Sequence, residues 1–142
     1  MIVYQGVKGA YSHLACQHVF PQREATACET FIEAMQAVEQ GHANLAMIPV
    51  ENSTAGRVEE IYRLIPKMSL HIVGEHYLDI QHHLMTLPNQ AIEAISEVHS
   101  HPMALLQCKE FFKRYPHIKL VESKDTAESA KYIGKEKLAG VY

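Results

Sequence analysis

Cysteine is scarce in this sequence. Its three cysteines, Cys16, Cys28 and Cys108, form no C-x-x-C pair, and an odd number cannot complete a disulfide framework, so a reducing cytoplasm is the expected compartment. Long apolar stretches are missing too. No window approaches the roughly 18 consecutive apolar residues of a membrane span, and Met1-Ile2-Val3-Tyr4-Gln5-Gly6 has neither the basic start nor the apolar run of a secretory signal. Neither a membrane nor export is expected. Positive charge is also in short supply: 13 Lys and Arg stand against 16 Asp and Glu, a formal net charge of -3. That leaves no global field to hold a phosphate backbone, so nucleic acid is not an expected partner.

The compact catalytic motifs are absent as well. The sequence has no G-x-S-x-G elbow, no P-loop and no G-x-G-x-x-G in a βαβ unit, which argues against nucleotide chemistry. Histidine is plentiful at 10 residues, including His82-His83 and His99-x-His101, yet there is no H-E-x-x-H and no Cys/His set at zinc spacing. Adjacent histidines on a strand would point to opposite faces, so no metal site is expected.

What remains is an ordinary globular composition, with 142 residues, 47% hydrophobic and 20% charged. That is enough for one core or two small lobes. Short apolar runs alternate with longer helical patterns, which predicts an α/β fold. Ile2-Val3-Tyr4 reads as a first strand, ended by Gly6 and Gly9; Leu14, Ala15, His18 and Val19 then recur on one helix face, closed by Pro21. Thr30 with Glu33 is a capping box for a helix carrying Phe31, Ala34, Met35 and Val38 and stopping at Gly41. Leu45-Ala46-Met47-Ile48-Pro49-Val50 reads as a strand covered on both faces. A helix follows through Val58, Ile61, Tyr62 and Ile65 to Pro66, then a strand at Leu70-His71-Ile72-Val73-Gly74. The stretch from His76 to Met85 alternates loosely and is expected to cross between lobes, placing a first lobe over 1–76 and a second over 77–142.

In the second lobe, Val98 leads to Ser100-His101-Pro102 and a helix through Ala104, Leu105, Cys108, Phe111 and Phe112, its proline tolerated at the start. Ile118-Lys119-Leu120-Val121 is a strand, and Asp125 with Glu128 caps a helix that Gly134 would end. Leu138-Ala139-Gly140-Val141-Tyr142 opens one more strand, at which the domain looks cut short. Cys16 and Cys108 fall on apolar helix stripes, where burial accounts for them better than reactivity.

A recurrent feature concerns function. Polar turns at Gly9 to Ser12, Asn52 to Gly56, Ser100 to Pro102 and Asp125 to Thr126 each lead from a strand into a helix, whose first N–H groups and dipole suit a small anion. Capping alone explains any single one of them. Asn52-Ser53-Thr54-Ala55-Gly56 is longer and more polar than a cap requires, and Gly56 implies a positive φ or a close approach of backbone to ligand. His101 is the histidine expected nearest a ligand. Lys8, Arg57 and Lys124 lie near these turns, either to attract an anion or as solvated charges.

Three segments resemble the prephenate dehydratases: Tyr4-Gln5-Gly6-Val7-Lys8-Gly9-Ala10-Tyr11-Ser12, Ile48-Pro49-Val50-Glu51-Asn52-Ser53-Thr54-Ala55-Gly56, and Ser100-His101-Pro102 with Gln107-Cys108. The resemblance implies two α/β lobes around a cleft, similar to type II periplasmic binding proteins. It implies that Asn52, Ser53, Thr54, Ser100 and Gln107, with Ser12 beside them, hold the carboxylates and ring hydroxyl of prephenate, without a cofactor. The implied reaction gives phenylpyruvate, with loss of carbon dioxide and water. The family's catalytic threonine lies in a Thr-Arg-Phe motif that this sequence does not contain, so the catalytic residue is unassigned and the fragment alone is expected to be inactive. The family's ACT regulatory domain is not in this chain either. Arogenate dehydration, or capture of a small carboxylate without turnover, are the alternatives. An uncovered sheet edge invites pairing, so a homodimer is expected.

Overall fold

A computed structural model of the chain describes residues 1–136. The fold is mixed α/β, in two compact units, Met1–Ile80 and Gln81–Tyr142.

The first unit is built on a parallel three-stranded sheet of β1 (Ile2–Gln5), β2 (Ala25–Cys28) and β3 (Leu45–Met47), in the order β2-β1-β3. Ile2 pairs with Ala25 on one side and with Leu45 on the other. Strand side chains alternate, and β1 uses both faces. Ile2 and Tyr4 pack with Cys16 of α1 (Tyr11–Val19), while Val3 packs with Cys28, Ala43 and Ala34 of α2 (Phe31–Glu39). The strand covered on both faces is thus β1. Leu45–Val50 was expected in that role, but β3 is shorter, half-buried and at the sheet edge, and Pro49 has no N–H to continue a ladder.

The capping box of α2 is present: Thr30 Oγ1 accepts from the Glu33 N–H at 3.1 Å, and Glu33 Oε2 accepts from the Glu29 N–H at 2.8 Å. Gly41, at φ +78°, follows the helix in the left-handed conformation glycine permits. Helix α1 faces the sheet through Ala15 and Cys16, whereas Leu14 and Val19 of the expected stripe stay more than a third exposed.

Beyond β3, β4 (Glu51–Asn52) and β5 (Gly56–Arg57) form a small antiparallel hairpin before α3 (Glu59–Leu64), and Pro66 sits in a short 3-10 turn, Ile65–Lys67. Two expectations fail after this point. Leu70 to Gly74 is not a strand, and Ile72 and Val73 are 72% and 80% exposed. An apolar run forms a ladder only with a hydrogen-bonding partner, and no strand among the described residues pairs with it. The stretch from His76 to Met85 is irregular for the same reason.

In the second unit β6 (Glu97–Ser100) runs parallel to β7 (Lys119–Glu122), with Val98 opposite Leu120. Val98 and Ser100 are buried, and Val98 joins Ile95, Leu105, Phe112 and Ile118 in the core. Pro102 opens α4 (Pro102–Phe112), capped by His101, whose Nδ1 accepts from the Met103 N–H at 3.1 Å. Asp125 Oδ1 caps α5 (Thr126–Glu136), accepting from the Ala127 and Glu128 N–H groups at 2.7 and 3.0 Å. Helix α5 continues through Gly134, contrary to expectation. Glycine ends a helix by taking a positive φ, which Gly134 does not have. The strand expected at 138–142 lies outside the described residues. None of the helices among them is long and apolar enough to cross a membrane.

Candidate functional site

The first unit contributes the polar hairpin. Asn52 and Gly56 pair across it, leaving Ser53, Thr54 and Ala55 at the tip. Asn52 Oδ1 accepts from the N–H groups of Thr54 and Ala55, at 2.9 and 3.0 Å, and so fixes the turn from within. Gly56 has φ +78° and nothing within 4 Å of the place a Cβ would take, so its role is conformational. The side chains of Ser53 and Thr54 are left exposed at the tip. The turn does not lead straight into a helix as expected, because β5 and Val58 intervene before α3. The Arg57 guanidinium lies over the Tyr62 ring, 5.0 Å from its centroid. Ser12 is half-buried in the first turn of α1, behind Gly6 and Gly9, both at positive φ.

The second unit holds a cavity of about 630 Å³. Leu84, Leu87, Val98, Leu105, Phe111, Phe112 and Ile133 give it apolar walls, into which Ser100, Gln107, Thr126, His82 and His83 also reach. Gln107 Oε1 lies 2.5 Å from His82 Nε2, and Ser100 Oγ lies 2.6 Å from Thr126 Oγ1. His99 Nε2 is held by Glu97 Oε2 at 2.9 Å. His82 and His83 both line the cavity rather than pointing to opposite faces, because the segment carrying them is not a strand.

Of the three residues expected in this unit, Ser100 and Gln107 share the cavity. His101 does not: its Nδ1 is committed to the α4 cap, and it borders a separate, open concavity with Glu122, Ser123 and Lys124. Sequence reasoning missed two cavity residues. His82 was noted only in the His82-His83 pair, weighed as a metal ligand and set aside. Thr126 was visible only as part of one polar turn among four.

Burial sets the chemistry of the thiols. It pushes Cys16, Cys28 and Cys108 above the ordinary cysteine range, which keeps them protonated at neutral pH and unsuited to nucleophilic attack. Among the described residues no three His, Cys, Asp or Glu side chains gather as metal ligands. The cavity therefore offers apolar contact with a few hydroxyl, amide and imidazole groups.

The fold is α/β, and the second unit carries a largely apolar cavity beside the end of β6. The chain belongs to the prephenate dehydratase family, whose model matches residues 2–141. It is 38% identical over 133 residues to a bifunctional N-acyl-homoserine lactone acylase/prephenate dehydratase of Komagataeibacter europaeus, covering 94% of this chain and 47% of that protein. It is 40% identical over 137 residues to arogenate dehydratase 2 of Petunia hybrida, covering 96% of this chain and 34% of that protein. The solved prephenate dehydratase of Staphylococcus aureus superimposes with a TM-score of 0.78 at 26% identity, over 99% of this chain and 52% of that one. The chain thus spans less than half the length of the two curated relatives and about half of the solved one.

Proposed function

We propose that this chain carries the substrate-binding part of a prephenate dehydratase, which converts prephenate to phenylpyruvate, carbon dioxide and water in aromatic amino-acid biosynthesis. The observation that carries the reading is the placement of Ser100 and Gln107 in one largely apolar cavity. Apolar walls suit the cyclohexadiene ring, while a hydroxyl and an amide suit its carboxylates and ring hydroxyl. In this reading the two units are lobes of a cleft, and Asn52, Ser53 and Thr54 of the first act on the same substrate. No cofactor is required. As the ring becomes aromatic the carboxylate leaves as carbon dioxide and its electron pair enters the ring, while the ring hydroxyl departs as water after taking up a proton. Aromatisation supplies the driving force, so the protein has chiefly to orient the substrate and stabilise shifting charge with fixed dipoles.

Identity to a plant arogenate dehydratase favours arogenate as a second substrate reading; it differs from prephenate by an amino group in place of the keto group. The test is to supply each compound to the protein and follow phenylpyruvate or phenylalanine formation. Faster phenylpyruvate formation supports the proposal, faster phenylalanine formation favours arogenate, and saturable binding with no product, from this chain and from one extended to the end of its gene alike, would mean a capture module instead. A cytoplasmic homodimer is part of the same proposal; light scattering checks the dimer and cell fractionation the compartment.

A further inference from the structure

Two hydroxyls meet inside the cavity, and their surroundings bear on which way the hydrogen bond between them runs. Ser100 is the last residue of β6 and only 7% exposed, and its Oγ is 2.6 Å from Thr126 Oγ1, at the first position of α5. The backbone N–H of His101 also points at Thr126 Oγ1, at 3.5 Å. A backbone N–H can only donate, so at that end the threonine oxygen accepts. A hydroxyl that already accepts is the better donor, which favours Thr126 giving its own hydrogen to Ser100 Oγ. With that oxygen accepting from Thr126, the hydrogen of Ser100 takes no part in the bond between the two hydroxyls and is available to the cavity.

We propose that Thr126 is a positioning residue that turns the Ser100 hydroxyl into a donor toward an anionic ligand. The polarised sequence runs from the His101 N–H through Thr126 to Ser100, and each bond in it strengthens the next. The inference rests on the reading of Ser100 as a substrate-binding hydroxyl. Thr126 touches no ligand in it. Without the threonine hydroxyl, Ser100 is free to turn its hydrogen away from the ligand, and a donor becomes an acceptor facing a carboxylate.

The experiment is a set of prephenate affinities, measured by calorimetry, for the unaltered protein, Thr126→Val, Thr126→Ser, Ser100→Ala and the Ser100→Ala/Thr126→Val double variant. Thr126→Val should weaken binding about tenfold or more, the size of one lost hydrogen bond to a charged group. Thr126→Ser, which keeps the hydroxyl, should restore affinity to within about twofold. In the Ser100→Ala background, Thr126→Val should cost nothing more, because its effect passes through Ser100. Asp125 rather than Thr126 caps α5, so the substitution leaves the helix start intact; thermal melting checks this, and Thr126→Ala replaces Thr126→Val if the branched side chain disturbs folding.

Three results would overturn the inference. Undiminished binding by Thr126→Val beside weakened binding by Ser100→Ala would defeat it while leaving the substrate reading in place. An equal further loss in the double variant would show Thr126 acting on the ligand directly. Unchanged binding by Ser100→Ala would remove the substrate reading itself, and the inference with it.

Discussion

The two units solve the packing problem differently. The first places a strand at the centre of three and covers it on both faces, so Ile2, Val3 and Tyr4 are all at most 3% exposed. Among its described residues the second has two strands and one core cluster, and it keeps a cavity beside them. Burial of apolar area stabilises at about 25 cal/mol per Å², so a void beside a core is stability forgone. The difference teaches where each kind of residue can be changed. In the first unit, the expected function depends on a short exposed hairpin mounted on a filled scaffold. In the second, cavity-lining residues such as Val98, Leu105 and Phe112 are at once core and wall.

The contrast can be put under strain, beginning with the largest effect. Ile2→Asp places an unpaired carboxylate between β1 and α1 and should cost more than about 4 kcal/mol, enough to unfold the first unit; circular dichroism should show the helical signal collapse. A folded, soluble variant would mean that β1 is not the centre of its sheet. Phe112→Ala should cost about 3 kcal/mol, at the low end for this substitution because a void already adjoins the side chain. Amide exchange in β6 and β7 reads it. Equal loss of protection in β1 would show that the two cores open together.

Two glycines make a finer comparison, since the space for a Cβ is open at both. Gly56→Ala meets only its positive φ and should destabilise by about 1 kcal/mol. Gly134→Ala sits inside a helix and should stabilise by about 0.5–1 kcal/mol. Urea titrations of the two variants should move in opposite directions, and the same sign for both would contradict the assigned backbone conformations.

The smallest effect is a pH dependence. Burial raises the thiols of Cys16, Cys28 and Cys108, so the native state keeps protons that the unfolded chain releases. Their contribution to stability is complete below the ordinary thiol range and declines as pH climbs through it. Melting temperatures followed upward from about pH 8 should fall less in a Cys16→Ala variant than in the parent. Parallel curves would mean that Cys16 ionises freely in the fold.

Much of this architecture was legible where local chemistry and tertiary packing agree. β1, α2 with Thr30 and Glu33, α4 behind Pro102, and α5 behind Asp125 all carry their own start signals. β2 was missed because Ala25-Thr26-Ala27-Cys28 has no apolar alternation; it is a strand because β1 offers it a ladder. Leu70 to Gly74 erred the other way, with strand-forming residues and no ladder to join. For the site, the 52–56 turn stood out as polar beyond the needs of capping, and Ser100 and Gln107 came from the family resemblance. The pairings of His82 and Thr126 were beyond reach for a physical reason. Each matters through a partner 25 or 26 residues away, and no local pattern records such a pairing.

The two-sided burial of β1 makes that strand a parity code. Odd and even positions are read by different helices: Ile2 and Tyr4 by the α1 side, Val3 by the α2 side. An insertion of one residue within the strand would exchange the audiences, presenting tyrosine to a pocket shaped for valine among alanines. An insertion of two would preserve parity and shift only the register. The strand should therefore tolerate even changes in length better than odd ones, a rule that frames sequence drift here as arithmetic rather than as loss of hydrophobicity.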